Sequence, residues 1–305
     1  MDKIENKPLV AIHCLVYNHE PYLRDCFEGF VMQQTNFPFV AIVHDDCSTD
    51  GSAAIIREYE AKYPHIFKPI YETENQYSKH DGSLERIMNE AIDVAETKYV
   101  AVCEGDDYWI DSLKLQKQVD FLENHSDYSM CFHSAEIKNE CSQKVNIECQ
   151  SIDNKEYYAN DIYPRWIIPT ASVLYRNSMV RSYSKLKNIH WMRYGDITLF
   201  LTCMHTGKVW GMQEQMSVYR VTNNGAVISE RLDSNIEYKQ MLHNKFLLKN
   251  FPKINKKWAM EAIARYYYTK FRKNNCIFYL ICAMWYSPYV VYSKYKDCII
   301  RFFTA

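Results

Sequence analysis

Five short apolar runs, separated by stretches with helical periodicity, occupy the first half of this 305-residue chain. Apolar runs of about four to eight residues are typical of strands buried on both faces, and apolar residues recurring at three- and four-residue spacing indicate amphipathic helices. Their alternation predicts a doubly wound, mostly parallel α/β sheet. The predicted strands are 9–16, 39–43, 66–71, 99–103 and 128–133.

The second half of the chain follows a different pattern. Residues 136–161 are polar and lack periodicity, which predicts a loop or a short hairpin. Further strands are predicted over 166–175 and 208–218, with a helix over 196–205 between them. From residue 229 onward the pattern is helical.

Composition excludes several classes of protein. The 36 basic residues nearly balance the 37 acidic residues, and a net charge of -1 provides no field for nucleic acid. Eleven cysteines without a C-x-x-C pair match neither a zinc site nor a disulfide framework, so we expect reduced, mostly buried thiols in a cytoplasmic protein. The polar start of the chain predicts no secretory signal, and no run reaches the ~18 apolar residues of a membrane span.

Two acidic segments come directly after predicted strands. The segment 45–51, D-D-C-S-T-D-G, follows the strand 39–43, and the segment 104–107, E-G-D-D, follows the strand 99–103. Ligands of open α/β sheets bind at the carboxyl ends of the strands. Carboxylates gathered there repel one another unless a cation lies between them, and a hard divalent cation that bridges a diphosphate would supply that charge. The sequence therefore predicts metal-assisted binding of a nucleoside diphosphate.

The first acidic segment has two competing interpretations. An EF-hand calcium loop is rejected, because its twelfth position would be Arg57 instead of Glu and because a strand precedes it. A polar turn that caps the next helix accounts for Ser48 and Asp50. It does not account for the adjacent pair Asp45 and Asp46, one of which could accept the N3–H of a uracil.

A third acidic position lies in the segment 191–196, W-M-R-Y-G-D. Asp196 is at the start of a predicted helix, so on its own it is equally an N-cap residue and a functional residue. Together with the other two segments it becomes a candidate general base, which would deprotonate an acceptor hydroxyl as this attacks a sugar carbon. The aromatic residues that could line the acceptor side, or serve only in packing, are Trp109, Trp191 and Tyr194.

In this order the motifs resemble the family 2 glycosyltransferases, inverting enzymes of the GT-A fold, over roughly residues 8–225. Tyr17-Asn18 is similar to the first strand–helix turn of that family, and 45–51 to its D-D-x-S-x-D-G motif. The segment 104–109, E-G-D-D-Y-W, is similar to its metal-binding D-x-D segment, in a variant that begins with Glu and continues as 114–118, K-L-Q-K-Q. Gly195-Asp196 is similar to its catalytic acid pair, and 216–220, M-S-V-Y-R, to its closing strand.

The resemblance implies an enzyme that moves a sugar, of the hexosyl or N-acetylhexosaminyl type, from a nucleoside-diphosphate sugar to a hydroxyl. The donor would be a UDP-sugar and the acceptor a glycan or lipid-linked molecule of bacterial surface-polysaccharide synthesis. Asp106, with Asp107 assisting, would bind Mn²⁺ or Mg²⁺, and Asp196 would be the base. The nucleotide-sugar site would comprise Leu15, Tyr17, Asp45, Asp46, Asn89, Glu104 and Gly105.

The chain departs from the family pattern in three places, one of which is Thr222, where some relatives carry a His after the motif 216–220. Met88-Asn89 replaces the Arg-Asn that the family often carries in its third helix, and Asp196 has no acidic neighbour.

The expected organisation is a catalytic domain of residues 1–225, with a nucleotide-binding half (8–135) and an acceptor-side half (136–225), followed by a helical C-terminal extension (226–305).

The C-terminal extension contains an unbroken apolar run, residues 276–286, which is too short to span a bilayer. Residues 290–303 then mix apolar side chains with Lys294, Lys296 and Arg301. One interpretation is an interfacial membrane contact, because lipid-linked acceptors reside there. The other is a pair of helices packed on the catalytic domain.

Two other functions compete with sugar transfer. A sugar-phosphate nucleotidyltransferase usually has a Gly- and Arg-rich loop after its first strand, and the segment 17–21, Y-N-H-E-P, is not of that kind. A non-catalytic nucleotide-sugar-binding protein would bind UDP and metal without transfer. The presence of Asp106 and Asp196 argues against it.

Overall fold

The structure is a computed structural model that describes residues 7–141, 151–163, 167–179, 195–223 and 235–294. Its strands are β1 (Val10–Val16), β2 (Phe39–Asp45), β3 (Phe67–Tyr71), β4 (Tyr99–Val102), β5 (Tyr108–Trp109), β6 (Tyr128–Asn139), β7 (Lys155–Tyr157), β8 (Leu174–Arg176) and β9 (Lys208–Val221). Its helices are α1 (Leu23–Val31), α2 (Ser52–Lys62), α3 (Ser83–Ala95), α4 (Lys114–Asn124), α5 (Ala159–Ile162), α6 (Gly195–Thr206), α7 (Ile236–Asn250), α8 (Lys256–Asn274) and α9 (Ile277–Tyr286). Helical backbone resumes over 288–294.

These strands form one sheet in the order β3-β2-β1-β4-β8-β6-β9-β5, with β7 paired to β9. The first four strands along the chain are parallel, with β1 between β2 and β4. Beyond β4 the sheet is mixed, since β8 runs antiparallel to both of its neighbours while β6 and β9 are parallel. The predicted α/β sheet of mostly parallel strands is confirmed.

The structure differs from the prediction in the second half of the sheet. Strands β6 and β9 continue past their predicted ends to Asn139 and Val221, because the two strands pair with each other up to these residues. The strand predicted over 166–175 is wrong: Pro169 opens a 3₁₀ turn, whose Ser172 hydroxyl donates to the Pro169 carbonyl, and only the short β8 follows. Strand β5 was not predicted, because two residues inside a polar motif form a strand only by pairing with β9.

Alternate residues of β1 enter two different cores, as a sheet buried on both faces requires. Val10, Ile12 and Cys14 join a cluster with the helices α1, α2 and α4, whereas Ala11 joins a cluster with α3 and α6. The second cluster also contains residues of α7 and the first turn of α8. The start of the C-terminal helical segment therefore shares the hydrophobic core on this side of the sheet. None of the helices in the described ranges is long and apolar enough to cross a bilayer.

Candidate active site

The turn after β1 is bound to the first acidic segment by a series of hydrogen bonds. The Asn18 amide donates to Ser48 Oγ at 3.0 Å, and Asn18 Oδ1 accepts the Thr49 amide at 2.7 Å. Asp50 receives the Glu20 amide on one oxygen and, on the other, the amide of Ser52 at the start of α2. The N-cap residue of α2 is Gly51, so Asp50 is not the cap, although it binds the first amide of the helix, and Ser48 joins the two loops.

Asp45 and Asp46, both buried, have different surroundings at the end of β2. The two carboxylate oxygens of Asp46 accept the amides of Gln76, at 2.6 Å, and Tyr77, at 3.0 Å. One oxygen of Asp45 accepts the Ser48 amide at 3.2 Å, and the other has no hydrogen bond among the described residues. Asp46 therefore holds the loop before α3, and Asp45 is the better placed of the two to accept a hydrogen bond from a ligand.

The other predicted nucleotide residues are distributed over β1 and α3. Tyr17 follows β1 with 47% of its surface exposed, directly after Val16, whose carbonyl accepts the Asp46 amide. The Leu15 carbonyl accepts the Gly105 amide at 2.9 Å, which joins β1 to the second acidic segment. Asn89 is partly buried on α3, and its side chain makes no hydrogen bond within the described ranges. The structure therefore brings Tyr17 and Leu15 to the acidic segments but does not join Asn89 to them.

Gly105 allows the second acidic segment to turn tightly against β1 and α1. A Cβ at this position would lie 2.7 Å from His19 Nδ1 and 3.0 Å from Val16 Cγ2. His19 Nδ1 is buried and has no hydrogen-bond partner in the part of the chain that the structure describes. The sequence analysis did not single out His19, although it lies in the Tyr17-Asn18 turn.

Asp106 and Asp107 differ in exposure. Asp106 is partly exposed, whereas Asp107 is 1% exposed, and one of its oxygens accepts the Arg220 amide at 2.8 Å. The other oxygen, Oδ2, is buried without a hydrogen-bond partner among the described residues. Burial, and after it the charge of Asp106, raises the pKa of Asp107 well above its usual range. Of the pair, Asp106 is accessible to a ligand, and Asp107 fixes the turn to β9.

Arg220 holds this turn from β9, and its role was missed in the sequence analysis. Its guanidinium is 2% exposed, donates to the Asp106 carbonyl at 3.0 Å and pairs with Asp25 on α1. It also lies over the Tyr108 ring, 4.2 Å from the centroid. The sequence shows Arg220 only as the last residue of the M-S-V-Y-R motif. Its partner Asp106 is 114 residues away along the chain, so no local pattern could reveal the contact.

The pKa of Glu104 is influenced by acidic residues from two distant parts of the chain, Asp106 and Asp196. Its pKa is raised to about 8, first by burial and then by the charges of Asp106 and Asp196. Tyr219 on β9 lies among the same groups: burial raises its pKa first, followed by Asp107, Glu104, Asp106 and Asp196. Asp196 and Asp106 therefore act electrostatically on the same two side chains, Glu104 and Tyr219, although they are far apart in the sequence.

Asp196 is the second residue of α6, because the helix begins at Gly195. It is not the N-cap residue that the structural alternative requires. Its Oδ1 accepts the amide of the next residue, Ile197, at 2.8 Å. An acidic residue in the first turn of a helix also interacts favourably with the helix dipole. This local contribution does not explain why Asp196 lies close enough to Glu104 to raise its pKa.

The acceptor-side interpretation of Trp109 is wrong for this structure. The residue is 2% exposed, donates from Nε1 to the Ala171 carbonyl at 2.9 Å and packs against Phe30 in the core. The buried amine of Lys114 lies 3.9 Å from the ring centroid. Trp109 is a packing residue, because its pairing with β9 turns the indole inward. Trp191 and Tyr194 lie outside the described residues.

The described residues contain no group of three His, Cys, Asp or Glu side chains arranged to hold a metal ion by themselves. Ions such as Mg²⁺ are commonly held by one or two carboxylates together with substrate phosphates and water, without an all-protein cage. Accessible Asp106 and the unpartnered Oδ2 of Asp107 fit that pattern. The segment could hold a divalent cation jointly with a diphosphate.

A cavity of about 630 Å³ lies at the opposite end of α6, near Tyr157, Met204 and Lys208. None of the predicted site residues lines it. The cavity is therefore distinct from the acidic site at the start of α6.

Comparison with known sequences identifies relatives over most of the chain. A family model described as glycosyl transferase family 2 matches residues 12–184, more than half of the chain. An uncharacterized Mycobacterium tuberculosis (strain H37Rv) protein, Rv1520, is 34% identical over 69% of this chain and 58% of its own length. The chain thus spans less than two thirds of this relative. A putative teichuronic acid biosynthesis glycosyltransferase of Bacillus subtilis (strain 168), TuaG, is 27% identical over 72% of this chain and 81% of its own length.

Two solved structures share the fold. Staphylococcus aureus TarS 1–349 in complex with UDP-GlcNAc has a TM-score of 0.59 at 17% identity, covering 87% of this chain and 74% of that chain. The mannosyltransferase PcManGT from Pyrobaculum calidifontis, in complex with GDP-Man and Mn²⁺, has a TM-score of 0.57 at 12% identity. The match covers 96% of this chain and 83% of that chain. The family match over residues 12–184 shows that the chain belongs to glycosyl transferase family 2, and the shared architecture shows that it has the GT-A fold.

Proposed function

We propose that this enzyme is a metal-dependent, inverting glycosyltransferase that moves a sugar from a UDP-sugar to a hydroxyl group of a glycan or lipid-linked acceptor. The observation that carries the proposal is that Asp106 and Asp196, far apart in the sequence, both raise the pKa of Glu104 and, with Asp107, that of Tyr219. Carboxylates that repel one another lower the stability of the protein when no ligand is bound, and such groups are typical of functional sites. The UDP-GlcNAc bound by TarS supports the donor class. The naming of TuaG as a teichuronic acid biosynthesis glycosyltransferase supports surface polysaccharide as the destination.

The nucleotide would bind where β1 and β2 end. The exposed ring of Tyr17 offers a surface for stacking the base. The second oxygen of Asp45 would accept the uracil N3–H, while Asp46 maintains the neighbouring loop through Gln76 and Tyr77. Glu104 would reach the ribose, with Leu15, Gly105 and Asn89 completing the site.

The diphosphate would lie beside the segment 104–107. A divalent cation, Mn²⁺ or Mg²⁺, would neutralise charge on the departing diphosphate. Asp106 would bind it, with Asp107 and Arg220 holding the turn in position. The Mn²⁺ in the PcManGT complex supports this requirement. Arg220 is itself neutralised by Asp25, so it does not cancel the charge of the acidic turn.

Asp196 would act on the acceptor. Its carboxylate would accept the proton of the acceptor hydroxyl as that oxygen attacks the anomeric carbon from the face opposite the diphosphate. The displacement inverts the configuration at that carbon. The donor would lie by the carboxyl ends of β1, β2 and β4, and the base would act from α6. Holding both reactants together in this way can supply much of the rate.

We also propose the division of the chain into a catalytic domain of residues 1–225, comprising halves 8–135 and 136–225, and a helical extension of residues 226–305. A cytoplasmic location is part of the proposal. It is supported by the nine cysteines of the described ranges, none of which forms a disulfide and most of which are at least partly buried.

The proposal is tested by turnover of UDP-sugars with Mn²⁺ and by the variant Asp196→Asn. UDP binding should remain close to that of the wild type, while turnover should fall by roughly 10²-fold or more. Asp93→Asn, at an exposed position of α3, is the control and should leave both unchanged. If Asp196→Asn retains full turnover, the base assignment fails. If the wild type binds UDP with Mn²⁺ but never transfers or hydrolyses the sugar, the non-catalytic alternative is correct.

A further inference from the structure

The outer face of the last two described helices is apolar and uncovered. Side chains at helical spacing on α9 and 288–294 point into solvent, and Trp285 is the most exposed of them at 83%. The other exposed members of this face are Ile277, Phe278, Ile281, Met284, Tyr289 and Tyr292. We call this set the C-terminal apolar face. A contiguous surface of large apolar residues on a protein marks an interaction site.

The opposite side of α9 packs on α8. Tyr279 and Tyr286 stack on Tyr267, with ring centroids 6.4 and 6.0 Å apart, and Ala283 is fully buried. Lys245 on α7 lies over the rings of Tyr267 and Tyr286. The orientation of α9 is therefore determined by these inner contacts, so the C-terminal apolar face is a consequence of how the helix packs.

Charge around this face is strongly biased. Residues 256–294 contain seven lysines and arginines but a single acid, Glu261, which gives the stretch a formal charge of +6, although the whole chain carries -1. Arg272 and Lys273 lie in the last turn of α8, shortly before α9, and Lys294 follows Tyr292. None of these three forms an ion pair with a described carboxylate. At the same end as Lys294, the Lys257 amine lies 5.9 Å from the centroid of the Tyr289 ring.

We propose that the C-terminal apolar face binds the surface of an anionic lipid bilayer. An interfacial helix combines apolar and aromatic residues on one face with cations near the headgroups. Here cations that have no partner among the described carboxylates border both ends of the face. Its exposed aromatic residues, Phe278, Trp285, Tyr289 and Tyr292, include the Trp and Tyr types that favour the boundary of water and hydrocarbon. A second copy of this chain would bring equal positive charges together, which disfavours a symmetric dimer through this face.

The binding uses no residue of the acidic site, so it goes beyond the proposed sugar transfer. Binding to the membrane would place the enzyme where lipid-linked acceptors reside.

The test is co-flotation of the full chain with vesicles of phosphatidylcholine, with and without about 30% phosphatidylglycerol. The wild type should partition strongly to the anionic vesicles and weakly to the neutral ones. Neutralising two cations, in Arg272→Gln/Lys273→Gln, should weaken binding to the anionic vesicles by about 30-fold and leave binding to neutral vesicles nearly unchanged. Trp285→Ser should weaken binding to the anionic vesicles by about 10-fold or more.

Val94→Ser is the matched control, since Val94 is 84% exposed on α3, away from the C-terminal apolar face. It should bind vesicles like the wild type. All variants change exposed side chains, and unchanged UDP binding in detergent-free buffer would verify that they fold. Absence of wild-type partition to anionic vesicles would overturn the proposal. So would a wild-type dimer that Trp285→Ser converts to a monomer without any vesicle binding.

Discussion

Replacing Glu104 by glutamine should stabilise the metal-free protein, by an amount that depends on pH. In the folded chain the pKa of Glu104 is raised from 4.5 to about 8, first by burial and then by Asp106 and Asp196. The unfolded chain therefore binds fewer protons than the folded chain between these two values. Stability consequently falls as the pH rises from about 4.5 to 8, and the full penalty is present above pH 8.

The pKa difference corresponds to at most about 5 kcal/mol of unfolding free energy. Glu104 retains partial exposure, and solvent screening reduces this figure, so we expect about 2 to 3 kcal/mol at pH 8. At pH 5 the penalty should be under about 1 kcal/mol, because Glu104 is then largely protonated in the folded state and only partly ionised in the unfolded state. The substituted glutamine carries no charge at any pH and avoids the penalty.

The assay is urea unfolding of the wild type and Glu104→Gln, in the presence of a chelator, at pH 5 and pH 8. Glu90→Gln, at an exposed position of α3, controls for the loss of a carboxylate outside the site. Glu104→Gln should gain stability over the wild type at pH 8 and lose most of that gain at pH 5. If the free energies of unfolding of Glu104→Gln and the wild type differ by the same amount at both pH values, the reasoning is refuted. Such a result would show that the surroundings of Glu104 do not oppose its charge.

Three further changes have definite expected outcomes. Arg220→Met removes the contacts with Asp106 and Asp25, so turnover with Mn²⁺ should fall by about 10²-fold, and a value near that of the wild type would contradict the positioning role. Gly105→Ala would crowd His19 and Val16 and should lower the free energy of unfolding in urea by about 1 to 3 kcal/mol. Burial lowers the pKa of Lys114 from 10.5 to about 7. The cost of its buried charge to the free energy of unfolding is therefore greatest below pH 7 and fades as the pH rises towards 10.5. Lys114→Met should therefore be more stable than the wild type at pH 7, with a gain that shrinks by about 2 kcal/mol at pH 9, while Lys117→Met on the same helix shows no such change.

Much of the catalytic sheet could be predicted because its strands are short apolar runs buried on both faces. Strands β1 to β4 lie within a few residues of their predicted positions for this reason. The prediction failed where pairing decides the structure. Strand β5 consists of Tyr108 and Trp109 in a polar motif, and it forms only because β9 lies beside it.

The acidic residues of the site could be predicted from their positions after strands, but their separate roles could not. The residues alone present Asp45 beside Asp46, and Asp106 beside Asp107, as equivalent pairs, and only the family resemblance ranked Asp106 above Asp107. The structure distinguishes Asp46 and Asp107 by the backbone amides that they accept from Gln76, Tyr77 and Arg220. Those donors lie 30, 31 and 113 residues away, so only the folded chain shows which carboxylate of each pair is committed to structure.

The central claim is that Asp106 and its neighbours form a site for a cation together with a nucleoside diphosphate. Calorimetric titration of UDP into the wild type and Asp106→Asn, each with Mn²⁺ and with a chelator, tests it most directly. The wild type should bind UDP much more tightly with Mn²⁺, and Asp106→Asn should lose that enhancement. If Mn²⁺ leaves the affinity of the wild type for UDP unchanged, or if Asp106→Asn keeps the full enhancement, the account is contradicted.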